Sequence, residues 1–189
     1  METSPAAPPK SAVRAVATPV GRLRLTARGG ALIRVAWDET APDTTGGDAE
    51  DTALLDEAAA QLGAYFAGGL TVFDLPLAPA GAPFHRRVWA AMARIPYGRM
   101  RTYGDLAREV GGAARAVGQA CGANPIPIVI PCHRVVAGGG RLGGFSGGLG
   151  AASKRRLLAH ERAVPEGADL FAPKSPSPES AVTNGPAGR

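Results

Sequence analysis

The chain has 189 residues, of which 45% are hydrophobic and 20% charged, as in a globular protein with one domain or two small ones. It contains no apolar run long enough to cross a bilayer and no secretory signal, so we expect a cytoplasmic protein without a membrane partner. The net charge of +5 is uneven, because residues 84–162 hold 13 basic and only three acidic residues. This bias favours a polyanion such as nucleic acid as the partner, with a solvated basic surface as the alternative.

The composition changes along the chain and predicts four segments. Residues 1–11 and 164–189 are rich in Pro, Ala, Ser and Gly, which predicts disorder at both ends. The prolines of residues 74–81 predict a linker with one short edge strand, and they place a boundary near Pro83. We therefore expect an N-terminal sheet-and-helix domain at 12–81 and a mainly helical domain at 82–163, an α/β (α+β) fold.

The first domain shows two kinds of periodicity. Residues 12–37 alternate apolar and polar positions and are interrupted at 19–21 and 29–30, which predicts a three-stranded antiparallel sheet. A polar loop is expected at 38–48. The apolar residues that follow recur at helical spacing and predict a helix over about residues 50–67.

The second domain opens with helix signals. Pro83 suits a helix start and Pro96 forces its end, while Thr102 and Asp105 form a predicted capping box for a second helix. A glycine pair at 111–112 then separates this helix from a third. Two short helices joined by a glycine turn in a basic domain are typical of a helix-turn-helix, although such pairs also occur in ordinary all-α cores.

Two cysteines require separate explanations, since in a reducing compartment they are expected to be thiols. Cys121 is interpreted as a small core residue, with a pocket-facing position as the alternative. Cys132 follows residues 124–131, whose three prolines predict a stiff, extended segment. A nucleophilic thiol needs a base or a positive field, which His133 and Arg134 supply, and Glu161 is the candidate carboxylate for the histidine. The alternative is a buried apolar cysteine and a surface glutamate.

The residues around Cys132 resemble those of a known family. The run IPCHRVV at 130–136, with ARAVG at 114–118, Asn124-Pro125, and SGGL at 146–149, resembles the O6-alkylguanine-DNA alkyltransferases. The resemblance is close over residues 84–161 and covers the N-terminal part only in its general pattern of strands and helix. It implies repair of O6-alkylguanine, and of O4-alkylthymine, in double-stranded DNA by a single-use, self-inactivating transfer.

The resemblance also implies a role for each residue of the acceptor site. Cys132 takes the alkyl group as a thioether, and His133 deprotonates it through a water while Glu161 holds the imidazole. Tyr103 supplies or shares a proton near the base. Asn124 ties the cysteine loop to the helix-turn-helix.

The remaining roles concern DNA and the flipped base. By resemblance, Arg115 fills the space that the base leaves in the stack, and the second helix of the helix-turn-helix lies in the minor groove on the small residues Ala114, Ala116 and Gly118. Phe145 and Ser146 form the pocket wall, and the carbonyls of Cys132 and Val135 accept from the exocyclic amine.

Some positions depart from the family pattern. Phe145 stands where many members have tyrosine, and residues 150–153 form a longer run than usual, which predicts a possible shift of the helix that carries Glu161. The zinc site of some members cannot be built, because no cysteine precedes Cys121. No metal or cofactor is therefore expected, and the protein is expected to be a monomer that can cluster on DNA.

Three alternatives to repair stay open at this stage. The first is a non-catalytic, alkyltransferase-like lesion-binding protein, although such proteins replace the cysteine. The second is a cysteine hydrolase that uses Cys132, His133 and Glu161 as a triad and turns over. The third is a transcriptional regulator, for which the Pro-Cys-His segment would have no purpose.

Overall fold

The structure, a computed structural model, describes residues 11–139 and 141–163 of the chain. Apart from Ser11, which directly precedes the first strand, the two segments predicted to be disordered lie outside the described residues. Within the described part, every helix is too short or too polar to cross a membrane.

The N-terminal sheet contains the predicted meander and one further strand. Strands β1 (Ala12–Thr18), β2 (Gly21–Ala27) and β3 (Leu32–Trp37) pair antiparallel in chain order. Strand β4 (Thr44–Thr45) pairs with the free edge of β1, so the sheet order is β3-β2-β1-β4. The prediction of an unstructured loop at 38–48 was therefore wrong for these two residues, because so short an edge pairing needs only backbone groups and leaves no apolar pattern.

The predicted edge strand at 74–81 is reduced to a single bridge. Leu77 pairs with Leu32 of β3, where the Leu32 amide donates to the Pro76 carbonyl at 2.8 Å and Ala78 donates to the Leu32 carbonyl at 3.0 Å. The two prolines on either side lack amide protons and cannot extend the ladder.

Helix α1 (Ala49–Phe66) covers one face of the sheet. Its start is capped by the Asp48 side chain, and its buried face carries Leu55, Ala58, Leu62 and Tyr65. The buried carboxylate of Asp51 accepts from the amides of Gly29 and Gly30 at 3.1 and 2.8 Å, so the helix also fixes the turn between β2 and β3.

Three helices of the second part pack around one core. They are α2 (Pro83–Ala93), α3 (Tyr103–Val110) and α4 (Ala114–Gly122). The predicted capping box of Thr102 and Asp105 starts α3, and Gly111 ends it at a φ of 69°. The indole of Trp89 donates to the Ala120 carbonyl at 2.8 Å, which locks α2 to α4.

The segment that leads to Cys132 is not extended throughout. Ile128 has a φ of 76°, and the Ile130 amide donates back to the Ile126 carbonyl at 2.9 Å, so residues 126–130 form a turn. The prediction was wrong at this point because proline restricts only itself and the residue before it, which leaves Ile128 and Val129 free to turn. The turn is joined to the sheet where the Val35 amide donates to the Pro125 carbonyl at 2.9 Å.

The last elements surround the cysteine. A 3₁₀ turn spans Cys132–Arg134, strand β6 (Val135–Val136) pairs parallel with β5 (Arg101–Thr102), and helix α5 (Ala151–His160) packs beside the 3₁₀ turn. Glu161 directly follows α5 as its C-cap.

Candidate active site

Cys132 lies at the junction between the core and a cavity. Its side chain is 7% exposed and lines a cavity of about 660 Å³. The wall comes from the second part of the chain and also from β3, through Val35, Ala36 and Trp37. The other lining residues that bear on the chemistry are Tyr103, Gly118, Cys121, Asn124, Phe145 and Ser146.

On the buried side of Cys132, the structure brings His133 and Glu161 together. His133 Nε2 lies 2.8 Å from Glu161 Oε1, and neither side chain is exposed. The longer run at 150–153 does not displace this carboxylate, because α5 starts at Ala151 and the Ser153 hydroxyl accepts from the Leu149 amide at 2.9 Å. The longer run therefore leaves Glu161 within hydrogen-bond distance of His133.

The carboxylate of Glu161 accepts hydrogen bonds from four residues. Oε1 accepts from His133, from Tyr65 Oη at 2.8 Å and from Arg134 Nη2 at 2.9 Å. Oε2 accepts from Arg134 Nε at 2.8 Å and from the Gly98 amide at 3.3 Å. Burial alone would raise its pKa, but the hydrogen bonds from His133 and Arg134 outweigh it and lower the pKa of Glu161 to about 2. The group is therefore an anion at neutral pH.

This anion fixes the tautomer of His133. A carboxylate can only accept, so Nε2 carries a hydrogen and Nδ1 of the neutral ring carries a lone pair. Burial lowers the pKa of His133 even though Glu161 acts in the opposite direction, so the ring is neutral at neutral pH. Nδ1 is buried and has no hydrogen-bond partner among the described residues. It is the basic atom that the site offers to a proton donor.

The thiol of Cys132 is held by burial in its protonated form until a base acts. Burial raises its pKa, whereas the Asn124 side chain and the Lys154 charge favour the thiolate. Asn124 also clamps the turn before the cysteine, because Nδ2 donates to the Ile130 carbonyl at 2.8 Å and Oδ1 accepts from the Ile126 amide at 3.1 Å. Its hydrogen bonds therefore link the end of α4 to the cysteine loop.

Lys154 is a buried cation that the sequence interpretation missed. Its Nζ donates to the Val135 carbonyl at 2.6 Å and to the Gly144 carbonyl at 3.3 Å. Burial lowers its pKa to about 8, so it is mainly charged at neutral pH. The spacing of Lys154, Leu157, Leu158 and Glu161 places all four on one helix face, a signal that would have predicted an inward lysine.

Tyr103 and Val135 occupy different positions relative to the cavity. Tyr103 lines it, donates to the Gly144 carbonyl at 3.2 Å and keeps its proton at neutral pH, because burial raises its pKa to about 12. Val135 is fully buried and does not line the cavity, and its carbonyl already accepts from Lys154. Only the second lone pair of that carbonyl is free for another donor.

The predicted pocket wall rests on a tryptophan of the sheet. Phe145 meets Trp37 edge to face at a centroid distance of 5.9 Å, and Ser146 is exposed at the rim. A Cβ on Gly147 would lie 2.3 Å from the Trp37 ring. Gly148 has a φ of 52°, and a Cβ there would lie 2.6 Å from Ser153 Oγ and 2.7 Å from Trp37 Nε1. The approach of Trp37 therefore requires Gly147 and contributes to the need for Gly148, a role of Trp37 that the sequence interpretation missed.

The residues predicted to face DNA lie on helix α4. Arg115 and Ala114 are exposed, Ala116 and Gly118 are half-buried, and Gly118 borders the cavity. The predicted helix face and the cavity mouth are thus neighbours.

One prediction from the cysteine region needs correction. Arg134 does not supply a field to the thiol, because its guanidinium pairs with Glu161 and donates to the Ile95 carbonyl at 2.6 Å. Cys121 is both a core residue, 3.4 Å from Met92 Sδ, and a cavity-lining residue, so the two interpretations are not exclusive. Burial raises its pKa to about 12, which keeps it a thiol.

Across residues 11–139 and 141–163, no cluster of three His, Cys, Asp or Glu side chains could hold a metal.

Comparison with known proteins matches the chain to two domains of one family. Residues 14–79 match the ribonuclease-like domain, and residues 83–163 the DNA-binding domain, of 6-O-methylguanine DNA methyltransferase. A methylated-DNA–protein-cysteine methyltransferase of Mycolicibacterium paratuberculosis is 48% identical over 152 residues, which cover 79% of this chain and 91% of the relative. The constitutive enzyme of that name from Bacillus subtilis is 47% identical over 115 residues, 60% of this chain and 68% of its own.

Solved structures agree with this assignment. The Mycobacterium tuberculosis O6-methylguanine methyltransferase superposes with a TM-score of 0.70 at 39% identity, covering 87% of this chain and 96% of its own. Mycobacterium tuberculosis OGT in complex with DNA gives a TM-score of 0.69 at 42% identity, and the match covers 85% of this chain and 99% of that chain. The predicted resemblance and the α/β fold are thereby confirmed, and this chain belongs to the 6-O-methylguanine DNA methyltransferase family.

Proposed function

We propose that this chain repairs DNA by moving an alkyl group from the O6 atom of guanine onto the sulfur of Cys132, once per protein molecule. One observation carries the proposal: a buried cysteine that lines a cavity is followed by a histidine whose tautomer is fixed by a buried carboxylate. We also propose that domains at 12–81 and 82–163 share this task, because β3 contributes to the cavity wall.

The first step is activation of the thiol. Nδ1 of His133 accepts the proton of Cys132 through one water molecule, and the resulting imidazolium is stabilised by Glu161 at 2.8 Å. Lys154 and Asn124 favour the thiolate that forms. Because the attacked carbon is sp³, no tetrahedral oxyanion forms, and positioning in line with the breaking bond matters most.

The second step is displacement. A bond forms between Cys132 Sγ and the alkyl carbon while the bond from that carbon to O6 breaks, and its electron pair leaves with guanine. The leaving base takes a proton from the hydroxyl of Tyr103, which regains one from the imidazolium through solvent. The products are neutral guanine and a thioether, which the described residues have no group to cleave.

The base must leave the duplex to reach the buried sulfur. We propose that α4 lies in the minor groove on its small residues and that Arg115 enters the stack in place of the guanine. Phe145 then stacks on the base, and the carbonyl of Cys132 selects for its amine. O4-alkylthymine offers a similar alkyl oxygen and is proposed as a second, poorer substrate.

Intact mass spectrometry tests the proposal. The full chain is mixed with a duplex that contains one O6-methylguanine, and the product is mapped by peptides, with Cys132→Ala as the control and an O4-methylthymine duplex in parallel. We expect one methyl group per chain, on Cys132, and none on the variant, which should still bind DNA. Repeated turnover would indicate a hydrolase, and tight lesion binding without a mass gain would indicate a non-catalytic lesion-binding protein.

A further inference from the structure

A side chain of the N-terminal part reaches the centre of the acceptor site. Tyr65 lies one residue before the end of α1, and its fully buried hydroxyl donates to Glu161 Oε1 at 2.8 Å, across 96 residues of sequence. The same oxygen accepts from His133 Nε2 at 2.8 Å. Tyr65 and His133 therefore share one acceptor atom.

The hydroxyl is the part of Tyr65 that ordinary packing does not explain. The ring packs against Phe66, Phe73 and Tyr97 at centroid distances of 4.9, 5.3 and 6.1 Å, and a phenylalanine would make the same contacts. The backbone is fixed independently, because His160 Nε2 donates to the Tyr65 carbonyl at 2.8 Å. What the hydroxyl adds is one neutral donor to the carboxylate that orients His133.

We propose that Tyr65 is a positioning residue for the alkyl transfer, through which helix α1 sets the basicity of His133 by sharing Glu161 Oε1. The inference rests on the proposed function and gives the N-terminal part a share in the acid-base chemistry. It predicts that the hydroxyl weakens the pull of Glu161 on the imidazole, because an oxygen that already accepts from other donors is a poorer acceptor for the next.

The charged and titratable groups around Glu161 and His133 determine the effect of removing the Tyr65 hydroxyl. Glu161 faces His133 and Arg134 from the 3₁₀ turn, Tyr65 from α1 and the Gly98 amide, and Tyr97 and Arg162 lie nearby. His133 also feels Lys154 from α5. Loss of the Tyr65 hydroxyl removes a donor without removing a charge. More negative charge then stays on Oε1, the imidazolium is stabilised, and the pKa of His133 rises.

The test is Tyr65→Phe in the full chain, with Tyr97→Phe as the matched control. Tyr97→Phe also removes a single hydroxyl and one hydrogen bond. That hydroxyl donates to the His160 carbonyl at 3.2 Å and not to the Glu161 carboxylate. Single-turnover methyl transfer from an O6-methylguanine duplex is measured against pH for both variants and the wild type. The His133 pKa is followed separately by NMR of isotope-labelled histidine without DNA, and folding by thermal unfolding.

We expect Tyr65→Phe to move the acidic limb of the profile and the His133 pKa up by about half a pH unit, which is about a twofold rate loss at the wild-type midpoint and about a threefold loss well below it. Tyr97→Phe should leave both unchanged. If Tyr65→Phe is folded and its profile and His133 pKa match the wild type, the inference is overturned although the proposed function stands. If the wild type transfers no methyl group, the proposed function fails, and the NMR comparison still decides whether Tyr65 tunes His133.

Discussion

The two sides of Cys132 differ in burial and in hydrogen bonding. On the buried side, Glu161 is saturated with donors, and His133 and Arg134 are held by hydrogen bonds of 2.8–2.9 Å in the absence of DNA. On the open side lies a cavity of about 660 Å³, walled by half-buried or exposed groups such as Phe145 and Ser146. The chemistry is thus preorganised, whereas the binding surface is completed only by a substrate.

This difference predicts different costs for substitutions on the two sides. A change on the buried side leaves a charge without its partner, so it should cost stability and reactivity together. A change on the open side removes a contact to DNA or to the base, so it should cost reactivity with a particular substrate and little stability.

The largest effect is expected for Glu161→Gln. Arg134 and His133 stay buried without their anion, which should cost about 3–5 kcal/mol in the free energy of unfolding. Transfer from an O6-methylguanine duplex should slow by about 100-fold or more, because the imidazolium of His133 loses the carboxylate that orients and stabilises it. Denaturant unfolding and single-turnover kinetics measure the two losses. Glu109→Gln is the control. Glu109 is a partly exposed acid that pairs with Arg94 and Arg101 on the surface, and its substitution should cost far less stability than that of Glu161.

Acid titration sharpens the same comparison. The pKa of Glu161 is about 2 in the folded protein against an ordinary 4.5, so its contribution to stability is complete above pH 4.5 and is lost as the pH falls towards 2. Glu161→Gln should lack this part of the acid dependence. Equal acid dependence of the two proteins would show that the carboxylate is not held as the structure has it.

The next largest effect is expected for Arg115→Ala. Because Arg115 is exposed, the variant should unfold like the wild type, while transfer from a duplex should slow by about 10- to 100-fold as the cost of base extrusion rises. Transfer from the free base O6-benzylguanine should hardly change. Arg28→Ala removes an equal charge from an exposed turn of the sheet and serves as the control. Equal losses on duplex and free base would argue against stack filling.

A smaller effect is expected for Gly147→Ala. The added Cβ would lie 2.3 Å from the Trp37 ring, whose Nε1 is tied to the Val20 carbonyl at 2.9 Å, so the Phe145 wall must shift. We expect transfer to slow by about three- to tenfold, by analogy with other small misplacements of positioning groups. Gly138→Ala, which meets no atom within 4 Å, should match the wild type. A wild-type rate for Gly147→Ala would mean that the wall tolerates displacement.

The smallest effect is expected for Phe145→Tyr. The ring keeps its contact with Trp37, so base stacking is preserved and transfer should change by less than about threefold. Phe145→Ala removes the ring and should slow transfer by more than tenfold in the same assay. If the two variants behaved alike, stacking by this side chain would not support the reaction.

Local sequence patterns predicted much of the fold. The capping box of Thr102 and Asp105, the three strands and the helix of residues 49–66 are each encoded within a few neighbouring residues, and all were predicted. The two errors have different causes. β4 exists because β1, about 30 residues earlier in the chain, has a free edge, and a window of sequence does not show this. The turn at Ile128 is local, since Asn124 brackets it, but the proline pattern alone does not distinguish a turn from an extended segment.

The sequence by itself determined the family and the candidate cysteine with its neighbours, because a run such as IPCHRVV places these residues side by side. Only the tertiary structure decided which groups surround Glu161. In sequence, Tyr65 is 96 residues from Glu161 and Gly98 is 63 residues from it. Arg134 pairs with the Glu161 carboxylate and not with the Cys132 thiol, because a buried anion must be paired. Likewise, Lys154 is buried against the Val135 and Gly144 carbonyls, and Trp37 lines the cavity. Such roles follow from the removal of water by folding, which strengthens polar contacts between residues that the sequence keeps far apart.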